Sequence, residues 1–412
     1  MNTSVRWFHL VLGTILMLFL GMLYAWSIFR APLQSMFQEW TTSQLSLTFS
    51  ISIMAFCLGN IISGKLAAIV SSRVLFLTAG VLLFAGFLGT SFSLSPDSPA
   101  TSLILLYIFY GGGCGLGVGI GYNTLIGTLV RWFPDRVGLA SGIMLMGFGM
   151  GGLVLGGIIS VLISKIGLSQ TFITIAICVA AILALSALRL KKPDAATERQ
   201  LQALKKKSGA QTKTSLKRPD STSSEMLRSP AFWLFFLWLI CISSGGLLVI
   251  NSAAPIAESF GVLAVMGLVV SLFNGGGRVF YGLVFDKFGA GTAILCNGCM
   301  LFAAGAILLL AAKTNSTILL FIGLPLTGVC FGGAPAITSA AVNFFWGTKH
   351  FPANFGLTNC NLIPAALLGP MVSSTLLQRS GGTYDTTFMM MVVIGVIAIA
   401  LSFCLLAFMR KR

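Results

Sequence analysis

Charge is scarce in this sequence and acid scarcer still: 9% of the 412 residues are charged, and ten are Asp or Glu. Soluble domains carry about a quarter charged residues, so a soluble globular protein is excluded. All ten acids fall in or beside the connections between apolar runs. With no acid in mid-run and neither H-E-x-x-H nor G-x-S-x-G present, a membrane hydrolase or acyltransferase lacks its nucleophile, base and orienting acid. The chain is expected to be no enzyme and to hold no cofactor and no metal. Histidine is limited to His9 and His350, both near the ends of apolar runs and read as interfacial. The nine cysteines are scattered, and the lone C-x-x-C of Cys296 and Cys299 has neither a second pair nor a nearby histidine. It reads as packing rather than as a metal or redox site.

What is abundant is apolar: 56% of the residues are hydrophobic. A bilayer core of about 30 Å needs about 20 apolar residues per helix, and twelve such runs occur, at 7–29, 44–64, 74–94, 102–127, 139–164, 171–189, 231–254, 262–281, 292–312, 317–341, 355–377 and 386–408. The first is longer than a secretory signal and has no clear small-residue cleavage site after it, so it counts as span 1. The expected fold class is an all-α membrane protein with twelve transmembrane helices. Glycines 111, 115 and 119, with 113, 117 and 121, recur at intervals of four in span 4. No Lys-Ser/Thr pair follows them to form a phosphate loop, so they read as close helix packing.

Of the 26 Lys and Arg, only Arg30, Lys165, Lys313 and Arg379 lie on one side of the expected membrane, and twenty-one lie on the other. Positive-inside asymmetry makes the second side cytoplasmic, with both termini there. The net charge of +16 thus reflects topology and attraction to anionic lipid. The basic residues are spread over loops without interleaved aromatics, which argues against nucleic acid as a partner.

The stretch 189–228 carries eleven basic and four acidic residues and reads as a cytoplasmic linker. It separates an N-terminal six-helix bundle, 1–188, from a C-terminal one, 229–412. An offset of 218 aligns Gly282 and Asp286 with Gly64 and Ala68, and aligns Gly356-Leu357 with Gly138-Leu139. Parallel six-helix repeats are the plan of the major facilitator superfamily, with a substrate site near midplane. The segment 282–289, with Gly282, Asp286-Lys287 and Gly289, resembles that superfamily's loop signature. Ala68 replaces the acid in the first copy, so a charge clasp is expected in the second half only.

Arg278 is the one charged residue deep in a span, in the eighth. A midplane charge costs roughly 2.5–3.5 kcal/mol even on the insertion scale, so it normally faces a polar cavity. Its planar, permanently charged fork fits a carboxylate bidentately, which makes it a candidate anion receptor. The competing reading is an arginine snorkelling to the interface. Ser271, Asn274 and Arg278 share one helical face, and that polar stripe favours a wet cavity. Tyr24, Ser27, Tyr122, Asn123, Asn251, Thr358 and Asn361 are further polar residues in mid-span. Each is open to either a ligand contact or an interhelical hydrogen bond.

Five segments together resemble the monocarboxylate transporter family and its bacterial relatives, the oxalate/formate exchangers. They are Arg6-Trp7-Phe8; Gly21 with Tyr24 and Trp26; Arg131-Trp132-Phe133-Pro134-Asp135-Arg136 followed by Gly138 and Gly142; Glu225 to Trp233; and Asn274-Gly275-Gly276 with Arg278. The resemblance implies that Arg278 anchors a substrate carboxylate and that Tyr122 lines the site. Where the exchangers have a second cation in span 11 this chain has Leu362, and where they have a Trp and a Tyr in span 10 it has Phe331 and Pro335. A dianion would keep an unpaired buried charge, so a monoanion is the expected substrate. The animal transporters' aspartate and lysine of the proton relay are matched here by Asn274 and Ile28, so that relay does not carry over.

The expected function is transport of a short monocarboxylate of the lactate or pyruvate class, with a proton as cotransported partner. Anion exchange of the oxalate/formate type is the alternative, and a non-transporting sensor is a further class. The expected substrate-binding residues are Arg278, Asn274, Tyr122, Tyr24 and Asn361. The expected setting is a lipid bilayer, the bacterial inner membrane, where a monomer is sufficient.

Overall fold

In lipid a backbone must satisfy its own hydrogen bonds, so a chain this apolar has only helices or a closed barrel open to it. The computed structural model describes residues 3–207, 220–263 and 268–410, and among these no strand occurs. Twelve spanning helices follow in chain order. Helix α1 has three stretches, Thr3–Leu20, a 3-10 turn Gly21–Ala25 and Trp26–Met36; α2 is Thr42–Leu66 and α3 Ser72–Ser93. Helix α4 comprises Pro99–Leu106, a π-helical stretch Tyr107–Cys114 and Gly115–Leu129, ending in a 3-10 turn Val130–Trp132. Then come α5, Val137–Ile166, α6, Leu168–Arg189, and α7, Pro230–Ser259. Helices α8 and α9 are the two arms of Leu268–Thr314, kinked at Gly289, whose φ of +87° suits glycine. Helix α10 is Thr317–Trp346; α11 joins Phe351–Thr358 to Leu362–Arg379 through the 3-10 turn Asn359–Asn361; α12 is Asp385–Arg410.

Ten described helices are long and apolar enough to cross a membrane. One of them is the 47-residue α8–α9 pair, whose two arms together hold about 70 Å of helix at 1.5 Å per residue, enough for two crossings. The broken α11 completes the twelve. The outward side chains are apolar, including Val81, Phe92 and Ile318, at 67%, 76% and 75% exposed. That is the reverse of a water-soluble surface and suits a lipid surround.

Several ends differ from the sequence expectation. Helix α1 continues past Arg30 to Met36, because Phe29 and Leu33 keep a buried stripe beyond the charge. Residues 262 and 263 are not helical, residues 264–267 lie outside the described set, and α8 is described from Leu268. Helix α10 runs five residues further, to Trp346, and ends where Gly347 takes φ of +78°. Residues 208–219 of the basic stretch, the side chain of Asn251, and Lys411 and Arg412 lie outside the described residues.

The motif residues have local reasons. Arg6 lies over the Phe133 ring, 4.5 Å from its centroid, and His9 packs on Trp132 at 4.5 Å. Trp132 in turn donates from Nε1 to the Lys191 carbonyl at 2.8 Å. The start of α1, the end of α4 and the start of the basic stretch are thereby tied together. Glu225 completes a capping box with Thr222, Met226 is fully buried, and Pro230 opens α7. The glycine ladder of α4 faces two neighbours: Gly115 and Gly119 lie against the backbone of α2, while Gly113 and Gly117 meet α3.

The chain forms two compact units. The first comprises Met1–Phe133, Gly147–Gln202 and Phe351–Asn359; the second comprises Pro134–Met146, Ala203–His350 and Cys360–Arg412. Helices α5 and α11 therefore each contribute a short N-terminal stretch to one unit and the remainder to the other.

Candidate functional site

In the second unit, α8 and α10 approach closely because glycines remove the side chains between them. A Cβ on Gly277 would strike the Val329 backbone, and one on Gly332 the Asn274 carbonyl. This packing sets the rotation of α8, and with it the direction of Arg278. The arginine is 1% exposed. Its Nη1 donates to the Leu145 carbonyl of α5 at 2.7 Å, and its Nε to Asn274 Oδ1 at 3.5 Å. Arg278 is thus packed inside its unit and does not snorkel to an interface. Asn274, 6% exposed, presents a neutral acceptor one helical turn away. A carboxylate there would neutralise the guanidinium; an amide orients it and leaves its charge standing.

Asn361 also belongs to the second unit but joins a different pair of helices, accepting from Ser243 of α7 at 3.1 Å. Its neighbour Leu362 is half-buried. Phe331 packs in an apolar cluster with Leu247 and Ala365. Tyr24 and Tyr122 belong to the first unit and meet the same ring: Phe148 is 5.3 Å from Tyr24 and 4.9 Å from Tyr122, both edge-on. Tyr122 also contacts Phe56 edge-on at 5.2 Å and stacks on Phe355 at 6.0 Å. The five expected residues therefore fall into three settings, Arg278 with Asn274, Asn361 with Ser243, and the two tyrosines around Phe148.

Three residues before the Gly289 kink, on the α8 arm that carries Arg278, Asp286 clasps the start of α5 through main-chain hydrogen bonds. Its two carboxylate oxygens accept the Gly138 and Leu139 backbone N–H groups at the start of α5, at 2.8 and 2.7 Å. In the first unit Gly64 packs against the backbone of Pro352 and Ala353, and Ala68 offers no carboxylate there.

Sequence reasoning did not find Leu145, which acts through a main-chain carbonyl and has no signature. It also missed Phe148 and Asn60. For Asn60 a signal exists: the 218-residue offset sets it at the position of Arg278.

Comparison with known proteins agrees with this architecture. Residues 11–362 match the Major Facilitator Superfamily. The oxalate:formate antiporter of Oxalobacter formigenes is 27% identical over 96% of this chain and 90% of its own length. An uncharacterized MFS-type transporter, YhjX of Escherichia coli (strain K12), is 27% identical over 85% of this chain and 83% of its own. Among solved structures, the proton:xylose symporter XylE superposes with a TM-score of 0.75 over 97% of this chain and 95% of that one, at 15% identity. FucP in its outward conformation gives 0.65 over 96% and 98%, also at 15% identity.

Proposed function

Because the chain belongs to the Major Facilitator Superfamily, we propose that it is a proton-coupled carrier of short monocarboxylates, working by alternating access about Arg278. The observation that carries this reading is a buried guanidinium beside a neutral amide, Arg278 with Asn274. One fixed positive charge suits one carboxylate. The neutral Leu362 and the apolar setting of Phe331 supply no second cation. In this reading the six-helix bundles 1–188 and 229–412 rock about the bound anion, joined by the basic linker 189–228. Tyr24, Tyr122 and Asn361 line the path, and both termini lie in the cytoplasm of a bacterial cell.

Proton coupling rests on energetics. Moving a bare anion into a negative-inside cell costs about 2.3 kcal/mol per 100 mV, which an accompanying proton cancels. Exchange of one monoanion for another cancels it too, and the antiporter among the relatives favours that second reading. The two share the anchor and differ in the coupled partner.

Competition separates monoanion from dianion. Oxalate is expected to inhibit labelled lactate uptake roughly tenfold more weakly than unlabelled lactate or pyruvate, because its second carboxylate would be desolvated without a partner. Leu362→Lys is expected to narrow that gap. Equal inhibition by oxalate in the unaltered protein would count against a monoanion site.

A further inference from the structure

On the face of the membrane that carries most of the lysines and arginines, the first unit brings together the end of α2, the end of α4 and the residues after α6. Trp132 holds the Lys191 carbonyl at 2.8 Å. The next side chain, Lys192, turns onto the end of α2, where its Nζ donates to the Ala67 carbonyl at 3.4 Å. Arg73, at the start of α3, donates from Nε to the Ala187 carbonyl at 3.4 Å and ties α3 to the end of α6. Arg131 and Lys192 are both half-buried. Burial, and then the nearby charge of Arg131, hold the Lys192 ammonium below the ordinary lysine value.

Among the described residues Lys192 has no carboxylate partner. Asp194, two residues on, is turned to the Thr197 backbone N–H, which it accepts at 2.8 Å within the start of the short helix Ala195–Lys207. The repeat shows what is missing. At the offset of 218, Ala68 stands where the second half has Asp286. The first unit therefore has a methyl group in place of a carboxylate and, one residue away, an ammonium on the Ala67 carbonyl. An ammonium has three hydrogens, and this carbonyl takes one of them at long range. Two like charges drawn together out of bulk water are costly without a counter-charge, so an anion from outside the chain completes the arrangement. Its surroundings are apolar: Ile69 is 80% exposed, and Leu188, beside Ala187, is 58% exposed. Such side chains give a soluble anion nothing, whereas a phospholipid lays its acyl chains against them. Basic pockets between the ends of spanning helices take anionic lipid headgroups.

We propose that Arg131 and Lys192, with the exposed Lys65 of the last turn of α2 at the rim, form a binding site for the phosphate of an anionic phospholipid whose chains run past Ile69 and Leu188. Arginine takes two phosphate oxygens through its planar fork, and lysine acts on the same group as a point charge. The phosphate supplies the first unit with the negative charge that Ala68 lacks. The site is separate from Arg278 and does not depend on which solute the chain carries or on what accompanies it.

The test is native mass spectrometry of the full chain released from detergent, titrated with phosphatidylglycerol or with phosphatidylcholine. The first phosphatidylglycerol is expected to bind at least about fivefold more tightly than phosphatidylcholine, and Lys192→Gln or Arg131→Gln to remove that preference, at about fivefold per cation. Lys192→Arg, which keeps the charge, should retain it. Lys287→Gln, at an exposed cation of the second unit on the same basic face, should leave it unchanged. Equal binding of the two lipids, or the same loss in Lys287→Gln, would overturn the site by reducing it to general attraction. Melting temperature in detergent identifies the source of the phosphate. Phosphatidylglycerol should raise it in the unaltered protein and not in Lys192→Gln, and inorganic phosphate should not raise it. A rise with inorganic phosphate alone would mark a soluble-anion site and overturn the lipid reading. If Lys192→Gln gives no monodisperse protein, Arg131→Gln and the ratio of the two lipids on the unaltered protein still decide.

Discussion

Arg278→Lys should lower lactate uptake by about 100-fold although the formal charge is kept. Lysine replaces a planar five-donor fork with a compact ammonium. The native guanidinium donates at once from Nη1 to the Leu145 carbonyl and from Nε to Asn274 Oδ1, two directions set by its planar fork. A single ammonium cannot reproduce that arrangement. Truncating a buried charge partner costs about 2–5 kcal/mol in comparable pairs, and a loss near 3 kcal/mol corresponds to about two decades in uptake. The check is initial-rate uptake of labelled lactate into proteoliposomes at matched protein content. Near-normal uptake by the lysine variant would remove Arg278 as the anchor.

Gly332→Val should remove the folded protein rather than tune it. A Cβ at this position would fall on the Asn274 carbonyl, with the Asn274 backbone carbon 2.9 Å and its Oδ1 3.0 Å away. Backbone is in the way, so no side-chain rotation relieves the clash, and α10 would have to move off the helix that carries Arg278. Overpacking of this kind costs typically 1–3 kcal/mol or more, and in lipid the glycine contacts are themselves what brings the helices together. The expected result is loss of the monodisperse peak on size exclusion in detergent. Gly276→Ala is the control: nothing lies within 4 Å of its Cβ position, and yield and elution should match the unaltered protein.

Much of the fold is legible in the sequence, for a physical reason. A bilayer leaves helices or a closed barrel as the spanning structures and fixes the crossing length, so apolar runs of the right length locate the twelve helices. The ends are less legible. Arg30 reads as the end of span 1, yet Phe29 and Leu33 carry a buried stripe past it, and tertiary burial outweighs the local charge. The break in α11 at Asn359–Asn361 falls inside an expected span although two asparagines and Pro364, which cannot donate to the Cys360 carbonyl, mark it.

At the site, Arg278 and Asn274 are legible because a charge in mid-membrane demands an explanation. Leu145 is not, because any residue offers a main-chain carbonyl. The amides Asn123 and Asn60 lie between these cases. Each is an ordinary polar residue until the contact with Pro352, 229 positions along the chain from Asn123, shows what it holds. Tyr122 and Tyr24 read as separate polar positions, and only the shared Phe148 ring relates them.

The most direct test of proton-coupled monocarboxylate transport is lactate uptake into proteoliposomes under separately imposed pH and potassium-diffusion gradients. One proton accompanying one monoanion carries no net charge, so an inward proton gradient should drive accumulation while a membrane potential alone should not. Asn274 offers no titratable group, so Asn274→Asp is unnecessary for this response; beside Arg278 it should instead weaken uptake by neutralising the anchor. Accumulation driven by the pH gradient and indifferent to voltage is the predicted result. A response to voltage but not to pH, or uptake that requires a counter-anion inside the vesicle, would contradict it.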